Sequence, residues 1–272
     1  MVPTVVVGAG AVAWLGLVTG VLDGASPVGL GGYPNARAAI GVQLAIAAMM
    51  LVVVSRNPWR QAVGVAAAIA FAAIPVLNGS WAGVLTLALV PVAVLASGSA
   101  RSTRWVVVAC AALVGVVLAG TVALGLSYPR VDPGGTVAAI EDETLSQRRL
   151  ALWHDALVII GNDPVTGVGP GRFQLASPTA VSDADARWAH HEFLQLGAEA
   201  GALGLVLLVL SFGWAFAEVG TVAEPGQPAA LAAVALAALG AHASVDYVLH
   251  FAPVPLVAAA VVGTAVGLRR RQ

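Results

Sequence analysis

No lysine occurs in these 272 residues, and all thirteen basic side chains are arginine. Charge of either sign is scarce: Asp, Glu, Lys and Arg make up 10% of the chain, against about 25% in a soluble domain. That scarcity, beside 59% hydrophobic residues, excludes an ordinary soluble protein and indicates an integral membrane protein. The one cysteine, Cys110, lies in an apolar run. It excludes an internal disulfide and any cysteine-based metal centre. No basic patch of the nucleic-acid-binding kind is present, so nucleic acid is not an expected partner. The first residues lack the basic segment of a cleavable signal, so residues 3–22 read as a retained span.

What the chain has in abundance is apolar runs. A spanning helix needs roughly 20 mostly apolar residues. The stretches 3–22, 38–54, 62–78, 81–97, 105–126, 198–217, 229–247 and 254–268 meet that requirement. They predict an all-α fold, a polytopic transmembrane bundle of about eight spans. Residues 1–126 form an N-terminal transmembrane region of about five spans, 127–192 an extracytoplasmic catalytic loop, and 193–272 a C-terminal region of about three spans. Asn78-Gly79-Ser80 reads as a tight hairpin between two spans. Arginines in short loops face the cytoplasm. Arg56 and Arg60, Arg101 and Arg104, and Arg269, Arg270 and Arg271 all fall on one side of this arrangement, which places both termini in the cytoplasm and the long loop outside.

That loop differs from the rest of the chain. It gathers Asp132, Glu141, Asp142, Glu143, Asp155, Asp163, Asp183, Asp185 and Glu192, with Arg130, Arg148, Arg149, Arg172 and Arg187. Structureless loops of this length are uncommon unless functional. Thr144 with Gln147 makes a capping-box pattern. Leu150, Trp153, Leu157 and Ile160 then recur at helical spacing until Gly161 and Pro164 stop the helix. Its apolar face predicts a short helix lying along the bilayer surface.

Ionisable side chains concentrate where the loop meets the next span. His190 and His191 are adjacent, so on a helix they point about 100° apart and cannot serve one site equally. His191-Glu192-Phe193-Leu194-Gln195 begins like a zinc-protease motif, but Gln195 stands where the second ligand belongs, so no metal site is expected. The plainer reading of the pair is that polar residues collect where a span begins. In Asp163–Phe173, glycines including Gly169 and Gly171 would let backbone N–H groups approach an anion; an ordinary turn is the alternative. Arg149, Arg172 and Arg187 are candidates to converge on a diphosphate, or to pair with the loop's carboxylates. Asp246, His242 and His250, near the outer end of a span, are weaker candidates.

Taken in order, these segments resemble the O-antigen ligase family of polytopic membrane glycan ligases and polymerases. Arg149-Leu150-Ala151-Leu152-Trp153, Pro164 through Phe173, His190 through Gln195, and Glu199-Ala200-Gly201 follow the family's sequence of motifs. His242 through His250 is similar to its closing segment, and Gly32-Tyr33-Pro34-Asn35-Ala36-Arg37-Ala38 to an upstream element. The resemblance implies transfer of a glycan from an undecaprenyl-diphosphate carrier to an acceptor hydroxyl, with inversion and without metal or other cofactor. The acceptor would be a glycan, a lipid or a protein, and membrane lipid surrounds the site. By the same resemblance His190 is the general base, and Arg149, with Arg172, neutralises the leaving diphosphate. Arg187, His191, Glu192, Gly169 and Gly171 are candidate substrate-binding residues. His191 stands where the family more often has asparagine, and Trp81 where it usually has arginine. Members usually carry further spans before the Gly-Tyr-Pro-Asn element, so the chain reads as N-terminally short. The rival reading is a non-catalytic paralogue that binds lipid-linked glycan or assists a partner enzyme.

Overall fold

The computed structural model describes residues 33–128, 145–182, 187–221 and 227–269. The expected span at 3–22, the capping residue Thr144, Arg130, Arg270 and Arg271, and most of the loop's acidic residues lie outside them. Among the described residues every regular element is helical. Four helices among the described residues are long and apolar enough to cross a membrane: α1 (Pro34–Val54), α2 (Pro58–Leu77), α5 (Ala100–Ser127) and α9 (Glu192–Thr221).

Local chemistry sets many of the boundaries. Pro34 and Pro58 open α1 and α2, where proline's fixed φ suits the first turn and its missing N–H costs nothing. Asn57 caps α2, its side chain accepting from the Trp59 N–H at 2.9 Å. After α2, Gly79 takes φ +65 and the Ser80 N–H closes back on the Pro75 carbonyl at 2.9 Å, which produces the expected hairpin. Ser99 and Ser102 cap each other's backbone N–H at 3.1 and 3.0 Å at the start of α5, as in a capping box.

The stretch expected as one span at 81–97 is two helices, α3 (Trp81–Leu87) and α4 (Leu89–Ala96). Pro91 explains the break. It has no N–H to give the Leu87 carbonyl one turn earlier, and its ring crowds that carbonyl. The remaining elements are α6 (Leu145–Asn162), the short α7 (Phe173–Ala176) and α8 (Pro178–Ser182), α10 (Gln227–Ala243), a 3-10 turn at Val248–His250, and α11 (Pro253–Arg269).

The chain divides into two compact units. Among the described residues, the first holds 33–114, 212–221, 227–242 and 248–269. Its centre is α10, where every residue from Ala229 to Leu239 is buried. A helix apolar on all sides belongs in an interior. The α10 carbonyl of Ala235 accepts from buried Gln43 of α1 at 3.0 Å. Close helix packing relies on small residues here: a Cβ on Gly41 would stand 2.7 Å from Ile74, and one on Gly240 2.8 Å from Val114.

Among the described residues, the second unit holds 115–128, 145–182, 187–211 and 243–247. Leu152, Trp153, Ala156 and Ile159 of α6 form its core with Phe173, Ala180, Ala189, Leu194 and Ala198. Of the row expected from the sequence, Trp153 lies in this core, and Leu150, Leu157 and Ile160 are partly buried at its edge. The α6 helix, expected to rest on the bilayer surface, therefore buries its apolar face in protein. Asp155 ties this helix to α8, accepting from the Ser177 hydroxyl at 2.5 Å and the Thr179 N–H at 2.9 Å.

Candidate functional site

The second unit is organised by a break in α9. Gly201 sits at φ +64, ψ −161, a region only glycine visits readily. A Cβ there would collide with the Val165 carbonyl oxygen. In a continuous helix the Ala198 and Glu199 carbonyls would accept from residues four further on. At the kink they accept instead from Val168 and Gly169 N–H, both at 2.9 Å, while the Ala202 N–H reaches back to Pro164 at 2.7 Å. The glycine-rich turn is thus laced into α9. At Gly167, with φ +61, an added Cβ would stand only 2.6 Å from the Ala198 carbonyl oxygen.

The turn's remaining amides meet an anion, and that anion is part of the chain. Glu199 Oε2 accepts from the Gly171 N–H at 2.9 Å, and its Oε1 from the Phe173 N–H at 3.2 Å. The same Oε1 accepts from Gln195 Nε2 at 2.7 Å, and Gln195 Oε1 accepts from the Ala189 N–H at 2.7 Å. Gly169 and Gly171, expected to present N–H groups to substrate, give them to the Glu199 carbonyl and carboxylate.

Ala189 leads directly into His190, which has φ +50, the one non-glycine residue with positive φ among those described. Trp153 Nε1 donates to the His190 carbonyl at 3.2 Å. His190 Nδ1 lies 3.1 Å from Asp246 Oδ1, and Arg149 donates to Asp246 Oδ2 at 3.3 Å. The Tyr247 N–H adds a bond to Oδ1 at 2.8 Å. Asp246 is buried, its side chain 2% exposed, whereas Arg149 is 34% and His190 20% exposed. A buried carboxylate thus holds an arginine on one oxygen and a histidine on the other. With its Nδ1 proton directed to Asp246, a neutral His190 carries its lone pair on Nε2, the arrangement of an oriented base. The Tyr247 ring meets His190 edge-on at 4.9 Å and stacks on Trp188 at 5.9 Å.

His191 is wholly enclosed. Its Nδ1 accepts from the Leu194 N–H at 3.3 Å, and its Nε2 lies 2.8 Å from Thr121 Oγ1. The Thr121 hydroxyl has backbone carbonyls of its own to donate to, at 2.9 and 3.1 Å, so it accepts from His191 Nε2–H. Both ring nitrogens are satisfied only in the neutral form, and burial pushes the imidazole down to about 3. The two adjacent histidines therefore have separate surroundings: one partly exposed beside Asp246, one sealed against Thr121 and Trp153.

Glu192 is buried at the start of α9. Arg172 and Arg187 are exposed and stand outside the Arg149–Asp246–His190 group. Of the three arginines expected to converge, the structure joins only Arg149 to His190. Trp81 is 78% exposed at the start of α3. His242 is buried in the last turn of α10 and His250 is exposed. The residue that sequence reasoning underrated is Asp246. Its only signal was an acid near the end of an apolar run, and nothing in linear spacing relates it to His190, 56 positions earlier.

A comparison with curated proteins gave no match. The profile described as O-antigen ligase matches residues 66–209, more than half of the chain and including Arg149, the glycine turn, His190 and the α9 kink. The chain belongs to the O-antigen ligase family.

Proposed function

We propose that the protein is a multi-pass membrane glycosyltransferase that moves a glycan from an undecaprenyl-diphosphate carrier to an acceptor hydroxyl. The carrying observation is the Arg149–Asp246–His190 arrangement, in which one buried carboxylate orients a histidine and anchors an arginine. The acceptor oxygen attacks the anomeric carbon as the bond to the diphosphate oxygen breaks, inverting that carbon. His190 Nε2 takes the acceptor proton, and undecaprenyl diphosphate leaves with the bonding electron pair. A positioned base contributes typically 10²–10⁴-fold. An arginine fork has five N–H donors, so the bond to Asp246 leaves Arg149 capacity to hold the leaving diphosphate. Arg172 and Arg187 are exposed cations that would attract the diphosphate to the site. Gly169, Gly171 and Glu192 would shape the site from within, and His191 supports the wall behind His190. Membership of the O-antigen ligase family supports a lipid-linked glycan donor; in this reading the acceptor is a glycan, a lipid or a protein and the anomeric carbon is inverted.

The site lies outside the cytoplasmic membrane in this reading, with both ends of the chain cytoplasmic. The shorter apolar helices, α3–α4 together, α10 and α11, then cross the bilayer with α1, α2, α5 and α9. Counting crossings from the cytoplasmic arginine loops puts His190 and Asp246 on the same side, as their 3.1 Å contact requires. The three regions 1–126, 127–192 and 193–272 then serve as membrane anchor, catalytic loop and returning anchor.

His190→Ala is expected to abolish release of undecaprenyl diphosphate in membranes supplied with a glycan-loaded carrier. Full activity in that variant rejects the assignment. Transfer is expected to survive EDTA, whereas a loss that zinc restores would point to metal chemistry. Trp81, exposed where the family usually has arginine, favours a second reading, a non-catalytic glycan-lipid-binding protein. Donor binding by the unaltered chain without any turnover would select it.

A further inference from the structure

The backbone around His190 is gripped by one residue on both sides. Gln195 donates its own N–H to the His191 carbonyl at 2.8 Å, and its side-chain Oε1 accepts from the Ala189 N–H at 2.7 Å. Between those two contacts His190 is held at φ +50, a conformation that a non-glycine residue keeps only when its surroundings impose it. A glutamine amide can be inserted either way round, and its neighbours decide which end faces where. Here the deciding neighbour is Glu199. A carboxylate is an acceptor only, so Gln195 must turn Nε2 towards Glu199 Oε1, at 2.7 Å, and Oε1 towards Ala189. Glu199 is in turn fixed by the Gly171 and Phe173 N–H groups of the glycine turn. Gln195 is 3% exposed, so water is poorly placed to replace a lost partner.

We propose that Glu199 is a positioning residue for glycan transfer, acting through Gln195 to fix the Ala189–His190 backbone and hence the direction of the His190 imidazole. The inference rests on the reading of His190 as the base. It gives the glycine turn a purpose distinct from substrate binding. The turn immobilises the carboxylate that orients the glutamine that sets the base.

The test uses the full chain in membranes, an undecaprenyl-diphosphate-linked oligosaccharide as donor, and released undecaprenyl diphosphate as readout. Misplacement of a reacting group by about 1 Å can cost about 10²-fold. Glu199→Ala and Gln195→Ala are each expected to lower kcat by about 10²-fold while leaving the donor KM within about threefold. The double variant should lose no more than the worse single variant, because both act through one chain of contacts. Glu199→Gln, whose carbonyl still accepts from Gln195, should recover part of kcat. Wild-type kcat in Glu199→Ala, a loss confined to KM, or losses that multiply in the double variant would each overturn the proposal. If Glu199→Ala does not fold, Glu199→Gln decides: reduced kcat at unchanged KM supports the proposal and wild-type kcat rejects it. His190→Ala runs in parallel. An active His190→Ala rejects the base assignment itself, whereas an inactive His190→Ala beside a fully active Glu199→Ala rejects only the positioning role.

Discussion

Asp246 and His191 are the two residues whose roles depend most on what surrounds them. Asp246 joins Arg149 to His190, so Asp246→Asn should do more than remove a charge. The amide would offer an N–H to one partner or lose the proton-accepting oxygen that keeps Nδ1–H in place. In serine proteases the equivalent change costs about 10⁴ in kcat through the wrong tautomer. A fall of about 10²–10⁴ in transfer rate, with donor binding retained, is expected, and equal kcat in the two proteins would show that His190 needs no such partner. Arg149→Lys should not restore wild-type activity, since an ammonium lacks the fork that meets Asp246 and a diphosphate together. His191 makes a different prediction. The unfolded chain protonates near the ordinary 6.5, the folded one only at about 3. The unfolded state therefore binds more protons across that window. Stability is full above pH 6.5 and declines as pH falls towards 3, at up to about 1.4 kcal/mol per pH unit. Thermal unfolding in detergent at pH 7 and pH 5 should show a smaller loss for His191→Asn than for the wild type, and equal losses would mean that His191 is hydrated in the folded protein. The sequence showed two histidines side by side at a span boundary. Their separate burial depends on Thr121 and Asp246, 70 and 56 positions away, which no local pattern encodes.

Elements were legible wherever their causes were local. Pro34, Pro58 with its Asn57 cap, and the Asn78-Gly79-Ser80 hairpin all act within a turn of themselves, and the helices start and stop near the expected places. The α9 kink was not legible. Gly197, Gly201 and Gly204 look alike in sequence, yet only Gly201 breaks the helix, because the Pro164–Gly169 backbone bonds around that point from about thirty or more residues upstream. The glycine turn was legible as a turn, but its amides answer to Glu199, a residue on another element. These contacts rank the glycines. Gly201→Ala and Gly167→Ala would drive a Cβ into backbone atoms, which cannot swing aside. At Gly171, with φ +70, a side-chain methyl would meet nothing within 4 Å, so Gly171→Ala carries only the left-handed penalty of about 1–2 kcal/mol. Melting temperatures should fall in the order Gly201→Ala and Gly167→Ala well below Gly171→Ala. Comparable melting of all three would mean that the turn does not pack on α9.

At the scale of the whole molecule, the arrangement of crossings is constrained from two independent directions. In the proposed orientation, the arginines around the starts of α2 and α5 face the cytoplasm. The second constraint is chemical. His190 precedes α9 and Asp246 follows α10, yet their side chains are 3.1 Å apart, so in the proposed topology the chain between them leaves one surface and returns to it. The kinked α9, 30 residues in all, followed by a helix of 17 does this if both cross, although α10 falls short of the usual length for a span. The burial of every residue from Ala229 to Leu239 accounts for that: a helix shielded by protein need not match the bilayer on its own. Substituted-cysteine labelling in intact cells checks the arrangement, since Cys110 is buried and contributes little background. Asn57→Cys and Ser99→Cys, exposed beside the arginine loops, should react with a membrane-impermeant maleimide only after the cells are opened. Val165→Cys and Leu175→Cys, at sites 73% and 71% exposed in the second unit, should react before. Labelling of Val165→Cys only after opening would place the Arg149–Asp246–His190 group in the cytoplasm, on the wrong face for transfer outside the membrane.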